Sequence, residues 1–233
     1  MEPLTKISDS VKLGVFVALV VFAGTFRAVA EGDADYRAPI PGTYSLPIIK
    51  AAGDGEVVDS QNHALHLRDL THGRVTVMSF IYTRCAAAKA CPFATGVLRQ
   101  LHQESQDDPA LVKGMRLVSM SFDPAADTPE RMAEYSTLAR STRPAAEWRF
   151  LTTPSRAQLQ PILDSYGQTV NKRSNPNDPQ GPLYHVLRVF LIDADGNVRN
   201  IYSSDTLDPR LVLADVKTLL RERAGTQSRT SAP

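Results

Sequence analysis

Two cysteines, Cys85 and Cys91, are the residues best suited to chemistry in this chain of 233 residues. They follow the segment VTVMSFIY at 75–82, which is typical of a buried strand, and they precede Pro92, which suits the first turn of a helix. Backbone N–H groups and the dipole at a helix start stabilise a thiolate, which can attack a disulfide or bind a soft metal ion. A permanent disulfide is the alternative, although it would stabilise the fold little because it would close so small a loop.

His185 is the candidate for a third ligand, because it follows a long polar loop at 167–183. Two thiolates and one imidazole would form a trigonal site that suits Cu(I) or, with a further ligand, Cu(II), whereas zinc normally takes a fourth ligand. Taken alone, a histidine at the start of a strand is more often structural. Five residues separate the cysteines, so the pair is not the two-residue motif of redox enzymes. Metal binding and thiol exchange both stay open at this point.

The other polar residues of interest are predicted to have simpler roles. The four remaining histidines are expected to be exposed: His63 and His66 in a hairpin, His72 in a turn and His102 on a helix. Asp127, with Pro129 and Glu130 after it, is predicted to cap a helix. Asp123, at the end of a strand, could help to orient the site or a partner.

Strands and helices alternate along the chain. The predicted strands are at 75–82, 115–122, 148–151, 186–192 and 198–202. The predicted helices are at 92–104, 129–141, 154–166 and 208–223. This order predicts an α/β fold, a thioredoxin-like three-layer sandwich whose central mixed β-sheet is flanked by helices. Because strand ends converge in such a fold, Cys85, Cys91 and His185 are expected to meet at one edge of the sheet.

The N-terminal segment has the pattern of a secretory leader. Two lysines precede an uncharged run of 14 residues at 13–26, and Ala28 and Ala30 lie where a signal peptidase requires small side chains. The run is shorter than the roughly 18 to 20 apolar residues of a membrane span, so residues 1–30 are predicted to be a cleaved signal peptide, with an uncleaved anchor as the alternative. Either one places the protein in an extracytoplasmic space such as the periplasm, secreted or anchored. We further expect an extended tether at 31–47, a thioredoxin-like domain at 48–224 and a flexible tail at 225–233.

The overall charge is balanced, with 26 basic and 25 acidic residues. No long basic run is present, which excludes the charge pattern that most nucleic-acid binders need. Residues 1–30 contain three basic and two acidic side chains, so without them the balance is 23 against 23. Charge steering is therefore not expected to be the way in which the protein finds its partners.

Several motifs resemble the Sco/SenC family of thioredoxin-fold copper proteins, in the same order over about 41–220. They are SFIYTRC (Ser79–Cys85), Cys91-Pro92, SFDPAADTPERM (Ser121–Met132), Tyr184-His185 and FLIDADGNV (Phe190–Val198). The resemblance implies an extracytoplasmic domain that binds one copper ion through Cys85, Cys91 and His185. It also implies a role in delivering copper to the CuA site of cytochrome c oxidase, or in reducing the cysteines of that site.

Two features depart from the family pattern. Family members usually have three residues between the cysteines, commonly including an acidic one, whereas the five here include none. Lys89 lies among them and could lower the pKa of a neighbouring thiol by its charge. Tyr184 also stands where an acidic residue usually precedes the histidine.

Three functions follow from these observations. The first is a copper carrier that hands its ion to an accepting protein, such as the oxidase subunit that carries CuA. The second is a thiol–disulfide oxidoreductase that uses Cys85 and Cys91 without copper, with a thiol reductant as a possible partner. The third is a redox-inert binding module whose disulfide only fixes a loop. A peroxidase is disfavoured, because Thr83 lies two residues before Cys85 and the peroxiredoxin motif requires three. Membrane association is expected only through an uncleaved N-terminal segment.

Overall fold

Two parallel, largely buried strands form the centre of the sheet. They belong to a computed structural model that describes residues 36–230, with side chains described as far as residue 226. These strands are Val75–Ile81 and Met115–Ser121, and they pair residue for residue from Val75 with Met115 to Ile81 with Ser121. Both segments are nearly continuous runs of apolar and small residues, the pattern of strands covered on both faces. The sequence-based prediction of both strands is confirmed.

The described part of the chain forms ten strands, six α-helices and one 3-10 turn. The strands are β1 (Lys50–Ala51), β2 (Glu56–Asp59), β3 (Ala64–His66), β4 (Val75–Ile81), β5 (Met115–Ser121), β6 (Glu147–Thr152), β7 (Val170–Lys172), β8 (Leu183–His185), β9 (Val189–Ile192) and β10 (Asn197–Tyr202). The helices are α1 (Arg68–Thr71), α2 (Cys91–Ser105), α3 (Pro109–Gly114), α4 (Pro129–Tyr135), α5 (Arg156–Tyr166) and α6 (Pro209–Thr230), with the 3-10 turn at Ser136–Ala139.

Eight of the strands form one mixed sheet in the order β1-β10-β9-β4-β5-β6-β2-β3. Strands β4, β5 and β6 are parallel to one another, whereas β9 runs antiparallel to β4 and extends the sheet on the other side. Strands β9 and β10 form the predicted hairpin, and Gly196 takes the left-handed conformation (φ 82°) that its turn requires. The parallel strands therefore end at a common edge, where β4 leads into the loop that contains Cys85.

Helices cover both faces of this sheet. Trp148 of β6 contacts His102 of α2, with ring centroids 5.7 Å apart, while Tyr166 of α5 contacts Phe80 of β4 at 5.4 Å. Trp148 pairs with Leu117 of β5, which pairs with Val77 of β4, so Trp148 and Val77 lie on the same face of the sheet. Phe80 lies three residues after Val77 and therefore points to the opposite face. Helices α2 and α5 thus lie on opposite faces, and the predicted three-layer α/β architecture is confirmed.

His102 is buried, with 5% of its surface exposed, so the prediction that it is exposed is wrong. It lies four residues after Leu98, and this spacing brings both side chains to the core face of α2. Burial lowers the pKa of His102 from its ordinary value of 6.5. The other three histidines away from the cysteines, His63, His66 and His72, are exposed as expected.

The long polar loop predicted at 167–183 contains a two-stranded ribbon. Strand β7 pairs antiparallel with β8, and Val170 lies opposite His185. His185 therefore ends β8, and the strand predicted at 186–192 begins only at Val189. The ribbon has three residues in each strand and little apolar alternation, so its sequence does not distinguish it from a loop.

The two ends of the domain pack together. The N–H of Gly42 donates to Thr218 Oγ1 of α6 (2.9 Å), and the hydroxyl of Tyr44 donates to Asp215 Oδ1 (2.6 Å). The described part of the predicted tether at 31–47 therefore lies against α6. That helix runs to Thr230, beyond its predicted end at 223 and into the predicted tail. The predicted leader at 1–30 lies outside the described residues, and none of the described helices has the length and hydropathy of a membrane span.

Candidate metal centre

The structure brings Cys85, Cys91 and His185 together at the edge where β4 ends. Nε2 of His185 lies 3.3 Å from Sγ of Cys91 and 3.9 Å from Sγ of Cys85. All three donor atoms lie within 4.8 Å of one another, which is close enough for one ion to contact all of them. Cys91 is buried, whereas Cys85 is partly exposed. The two thiols are not bonded to each other in this structure.

Local backbone structure places the two sulfurs. Cys91 is the first residue of α2, and Pro92 follows it within the first helical turn, where its missing N–H costs no hydrogen bond. The loop before it is folded by short turns, with the N–H of Cys85 donating to the carbonyl of Tyr82 (3.2 Å) and the N–H of Ala90 donating to that of Ala87 (2.9 Å). The five-residue spacing thus forms a turned loop that returns the second thiol to the first.

A buried carboxylate, Asp127, holds the start of this loop. It is fully buried and accepts hydrogen bonds from the N–H of Thr83 (3.0 Å), the hydroxyl of Thr83 (2.6 Å) and the hydroxyl of Ser121 (2.6 Å). The prediction that Asp127 caps α4 is wrong, because Thr128 is the cap and its hydroxyl accepts from the N–H of Arg131. Asp and Thr are both good caps, so adjacent residues of these types leave the assignment ambiguous in the sequence. Asp127 instead fixes the loop two residues before Cys85.

The neighbouring Asp123 forms an ion pair with Arg84, at 2.7 Å between Oδ2 and Nη2. Arg84 directly precedes Cys85 in the chain. The pair therefore ties the same loop to the segment that follows β5, at the surface of the site. This contact is consistent with the prediction that Asp123 helps to orient the site.

Aromatic rings fix the orientation of His185. Its ring centroid lies 4.7 Å from that of Phe122 and 5.9 Å from that of Tyr82. The hydroxyl of Tyr82 donates to the carbonyls of Gln180 (3.1 Å) and Leu183 (3.2 Å), which links β4 to the ribbon that ends at His185. Sequence analysis treated Tyr82 and Phe122 only as strand residues, although their positions at the ends of β4 and β5 were a signal that they border the site.

Close approach between the ribbon and Tyr82 requires glycine at position 181. Gly181 has φ +100°, and a Cβ there would lie 2.2 Å from the Tyr82 hydroxyl oxygen. Nδ1 of His185, on the far side of the ring from the sulfurs, is buried and has no hydrogen-bond partner among the described residues. The ring therefore presents Nε2 to the thiols through packing, without a hydrogen bond at Nδ1 to orient it.

The two thiols share one proton. A hydrogen bond from Cys91, supported by His185 and by the backbone N–H groups of Cys91 and Ala87, lowers the pKa of Cys85 from about 9 to about 4. The hydrogen bond to Cys85, together with burial, raises the pKa of Cys91. Burial and the nearby Cys85 charge raise the pKa of Tyr82 to about 12, so its hydroxyl stays protonated. The state at neutral pH is a Cys85 thiolate that accepts from a Cys91 thiol.

This donor set selects soft ions. Two sulfurs and one imidazole nitrogen without a carboxylate match the preference of Cu(I), and the hard ions Mg²⁺ and Ca²⁺ would find no oxygen ligand among them. The three donor atoms lie within 4.8 Å of one another, and three donors are the number that a trigonal Cu(I) site uses. The residues present therefore fit a monovalent copper ion.

The sequence and fold were compared with those of known proteins. A sequence model of a family described as SCO1/SenC matches residues 50–221. No curated protein sequence matches the chain. The matched range runs from β1 into α6 and so contains the whole sheet and all three residues of the candidate centre.

Solved structures with the same fold include three that carry the same family name. A SCO1/SenC family lipoprotein from Bacillus anthracis str. Ames aligns with a TM-score of 0.60 and 23% identity, over 73% of this chain and 95% of that one. ScoI of Bradyrhizobium japonicum with copper bound aligns with a TM-score of 0.58 and 21% identity, over 72% and 99%. BsSco, described in a study of a disulfide switch as a member of the Sco family of cytochrome c oxidase assembly proteins, aligns with a TM-score of 0.59 and 20% identity, over 76% and 98%. At these identities the likeness shows the fold.

Proposed function

This chain belongs to the SCO1/SenC family, and from that premise we propose that it is an extracytoplasmic copper carrier that serves the assembly of cytochrome c oxidase. Cys85, Cys91 and His185 hold one Cu(I) ion, and the acceptor is the CuA site of the oxidase. The observation that carries the proposal is the approach of three soft donor atoms to within 4.8 Å of one another.

Three further observations support this role. The related ScoI from Bradyrhizobium japonicum has been solved with copper bound, and BsSco is described as belonging to a family of oxidase assembly proteins. The B. anthracis relative is described as a lipoprotein, a class of exported protein, and the leader pattern at 1–30 independently supports an extracytoplasmic location for this chain.

The exposure of the two sulfurs gives an order for copper transfer. Cys85 is the more exposed of the two cysteines and lines two surface cavities, so a ligand of the acceptor would reach the ion on that side while Cys91 and His185 still hold it. The ion then passes by ligand exchange through a state shared between the two proteins. The low pKa of Cys85 keeps this sulfur as a thiolate, ready to bind the ion without first releasing a proton at neutral pH.

Anaerobic titration of the reduced protein with Cu(I), against a competing chelator, tests the centre. The wild type should take up one equivalent, Cys85→Ser should abolish uptake, and His185→Ala should weaken it. His63→Ala is the matched control, because His63 is exposed on the β2–β3 hairpin and should leave uptake unchanged. Full affinity in Cys85→Ser would reject the site. Transfer is tested by mixing the loaded protein anaerobically with a copper-free CuA domain, separating the two proteins and measuring the copper that each one holds.

A second function, thiol–disulfide exchange, is favoured by the low pKa and partial exposure of Cys85. The Cys85 thiolate would attack a partner disulfide, forming a mixed disulfide while the partner's other sulfur leaves as a thiolate that takes a proton from water. Cys91 would then lose its proton and attack the Cys85 sulfur, releasing the second partner thiol. The partner gains two electrons and two protons, and the protein is oxidised to the Cys85–Cys91 disulfide.

Two variants distinguish copper carriage from thiol–disulfide exchange. Cys91→Ser should trap a mixed disulfide on Cys85 if exchange occurs, and His185→Ala should leave exchange largely intact while it weakens copper uptake. A reduction potential near that of structural disulfides, below about −300 mV, with no exchange with partner thiols would reject the second function.

A further inference from the structure

Two cavities open on either side of Cys85. One, of about 330 Å³, is lined by Cys85, Cys91 and Arg99 among others, and the second, of about 410 Å³, is lined by Cys85, Lys89, Arg173 and His185 among others. No aspartate or glutamate lines either cavity. Three cations thus line the two cavities that Cys85 also lines, and we name Lys89, Arg99 and Arg173 the basic rim.

The basic rim keeps its charge available to a partner. Lys89 and Arg99 are exposed, and neither forms an ion pair within residues 36–226. Arg173 is less free, because its Nη2 donates to Gln180 Oε1 (3.1 Å) and its Nη1 forms a long ion pair with Asp178 (3.8 Å), while its buried Nε has no hydrogen-bond acceptor among the described residues. Asp123, at the same edge of the sheet, forms its ion pair with Arg84. Among the described residues, Lys89 and Arg99 therefore keep their charge unpaired, whereas the charge of Arg173 is partly offset by Asp178.

The surface between these cations is suited to a protein contact. Tyr184 is 54% exposed and Val186 is 48% exposed, and both lie beside His185. Arg173 stacks on the Tyr184 ring, with its Cζ 5.7 Å from the ring centroid. An exposed aromatic residue with cations around it matches the composition of protein interfaces, in which apolar centres are enclosed by charged rims.

We propose that the basic rim docks an acidic segment of the partner protein, whose carboxylates flank the partner's own thiols or copper ligands. The inference rests on the proposed function in one respect, since it identifies the partner as the copper acceptor. This preference for an acidic partner is the opposite of the preference that the charge of the copper-loaded site alone would produce. Two thiolates around one Cu(I) ion carry a net charge of −1, so a site without the rim would favour a basic partner. The proposal departs from the expectation that charge does not guide the protein, which was based on the total charge alone.

The test uses the reduced, copper-free protein and two synthetic peptides of equal length. Each peptide is closed by one disulfide, which is flanked by glutamates in one and by lysines in the other. Exchange with Cys85 and Cys91 reduces the peptide and oxidises the protein by two electrons, through the steps given above. At low salt the glutamate peptide should react about tenfold faster than the lysine peptide, and the ratio should approach one in about 1 M salt, where screening acts within about 3 Å.

Charge reversals locate the effect. Lys89→Glu and Arg99→Glu should each lower the ratio several-fold. Lys113→Glu is the matched control, because exposed Lys113 lies on α3 before the start of β5, at the opposite end of the parallel strands, and should leave the ratio unchanged. A wild-type ratio at or below one, or an equal effect of Lys113→Glu, would overturn the proposal.

Failure of the copper-carrier function would look different. A protein that takes up no copper but still prefers the glutamate peptide would reject the carrier role and keep the rim. A protein that takes up one equivalent of copper and shows no preference would reject the rim and keep the carrier role.

Discussion

Removal of the buried carboxylate of Asp127 should destabilise both the fold and the copper site. In Asp127→Ala the N–H of Thr83 loses its acceptor inside the protein, and two hydroxyls lose theirs. An unsatisfied buried N–H costs about 1–3 kcal/mol, and each hydrogen bond to a charged acceptor contributes about 1.5–3 kcal/mol. The recovered desolvation of the carboxylate and rotation of the hydroxyls offset part of this sum. We expect the free energy of unfolding to fall by about 3–4 kcal/mol.

Two further variants sharpen this prediction. Asp127→Asn keeps one acceptor oxygen and should cost about 1–2 kcal/mol, because its amide can still donate to the Thr83 hydroxyl oxygen. Asp123→Asn is the matched control on the same turn. It removes only the pair with exposed Arg84 and should cost less than about 1 kcal/mol.

Urea unfolding of the reduced, metal-free proteins gives these free energies, and Cu(I) competition gives the affinity of each variant. Because Thr83 lies two residues before Cys85, the loss of affinity should follow the order of the stability losses. If Asp127→Ala cost no more than Asp123→Asn, the carboxylate would not be what holds the loop.

Three other perturbations have defined outcomes. The alkylation rate of Cys85 should be constant from pH 7 to about pH 5 and fall as the pH drops through about 4, where the thiolate is protonated; a midpoint near 9 would contradict the shared-proton pair. Burial lowers the pKa of His102 below 6.5, so the unfolded chain binds a proton there before the folded protein does, and stability should fall as the pH drops below 6.5. His102→Leu should remove this dependence. If the wild type and the variant lost the same free energy of unfolding between pH 7.5 and pH 5.5, this role of His102 would be refuted. Gly181→Ala should destabilise by about 1–3 kcal/mol and weaken copper binding, because its Cβ would meet the Tyr82 hydroxyl oxygen at 2.2 Å. Gly96→Ala, at an open helical position of α2, should instead stabilise by about 0.5–1 kcal/mol, and equal effects of the two would argue against the clash.

The central strands and the main helices could be predicted because their signals are local. β4 and β5 are runs of buried residues, and the N-terminus of α2 is marked by Pro92. The β7–β8 ribbon could not be predicted, since its three-residue strands are held by contacts with Tyr82 from a distant part of the chain. Short polar strands carry too little pattern for a sequence to indicate them.

The candidate centre was predictable to the level of its donor atoms. Both cysteines flank a strand end and a helix start, and His185 was placed near them by the expected convergence of the strand ends. The support around them was not predictable, because Asp127 and Thr128 are equally good caps in the sequence and only the fold decides between them. His102 was misassigned for a related reason, since a histidine on a helix gives no local sign of which face is buried.

X-ray absorption of the protein loaded anaerobically with one equivalent of Cu(I) is the most direct measurement of the central claim. The fine structure should require two sulfur neighbours and one nitrogen neighbour, and the nitrogen should disappear in His185→Ala while both sulfurs remain. A first shell with sulfur alone in the wild type, or a nitrogen that persists unchanged in the variant, would show that the imidazole and the two thiolates do not bind the same ion.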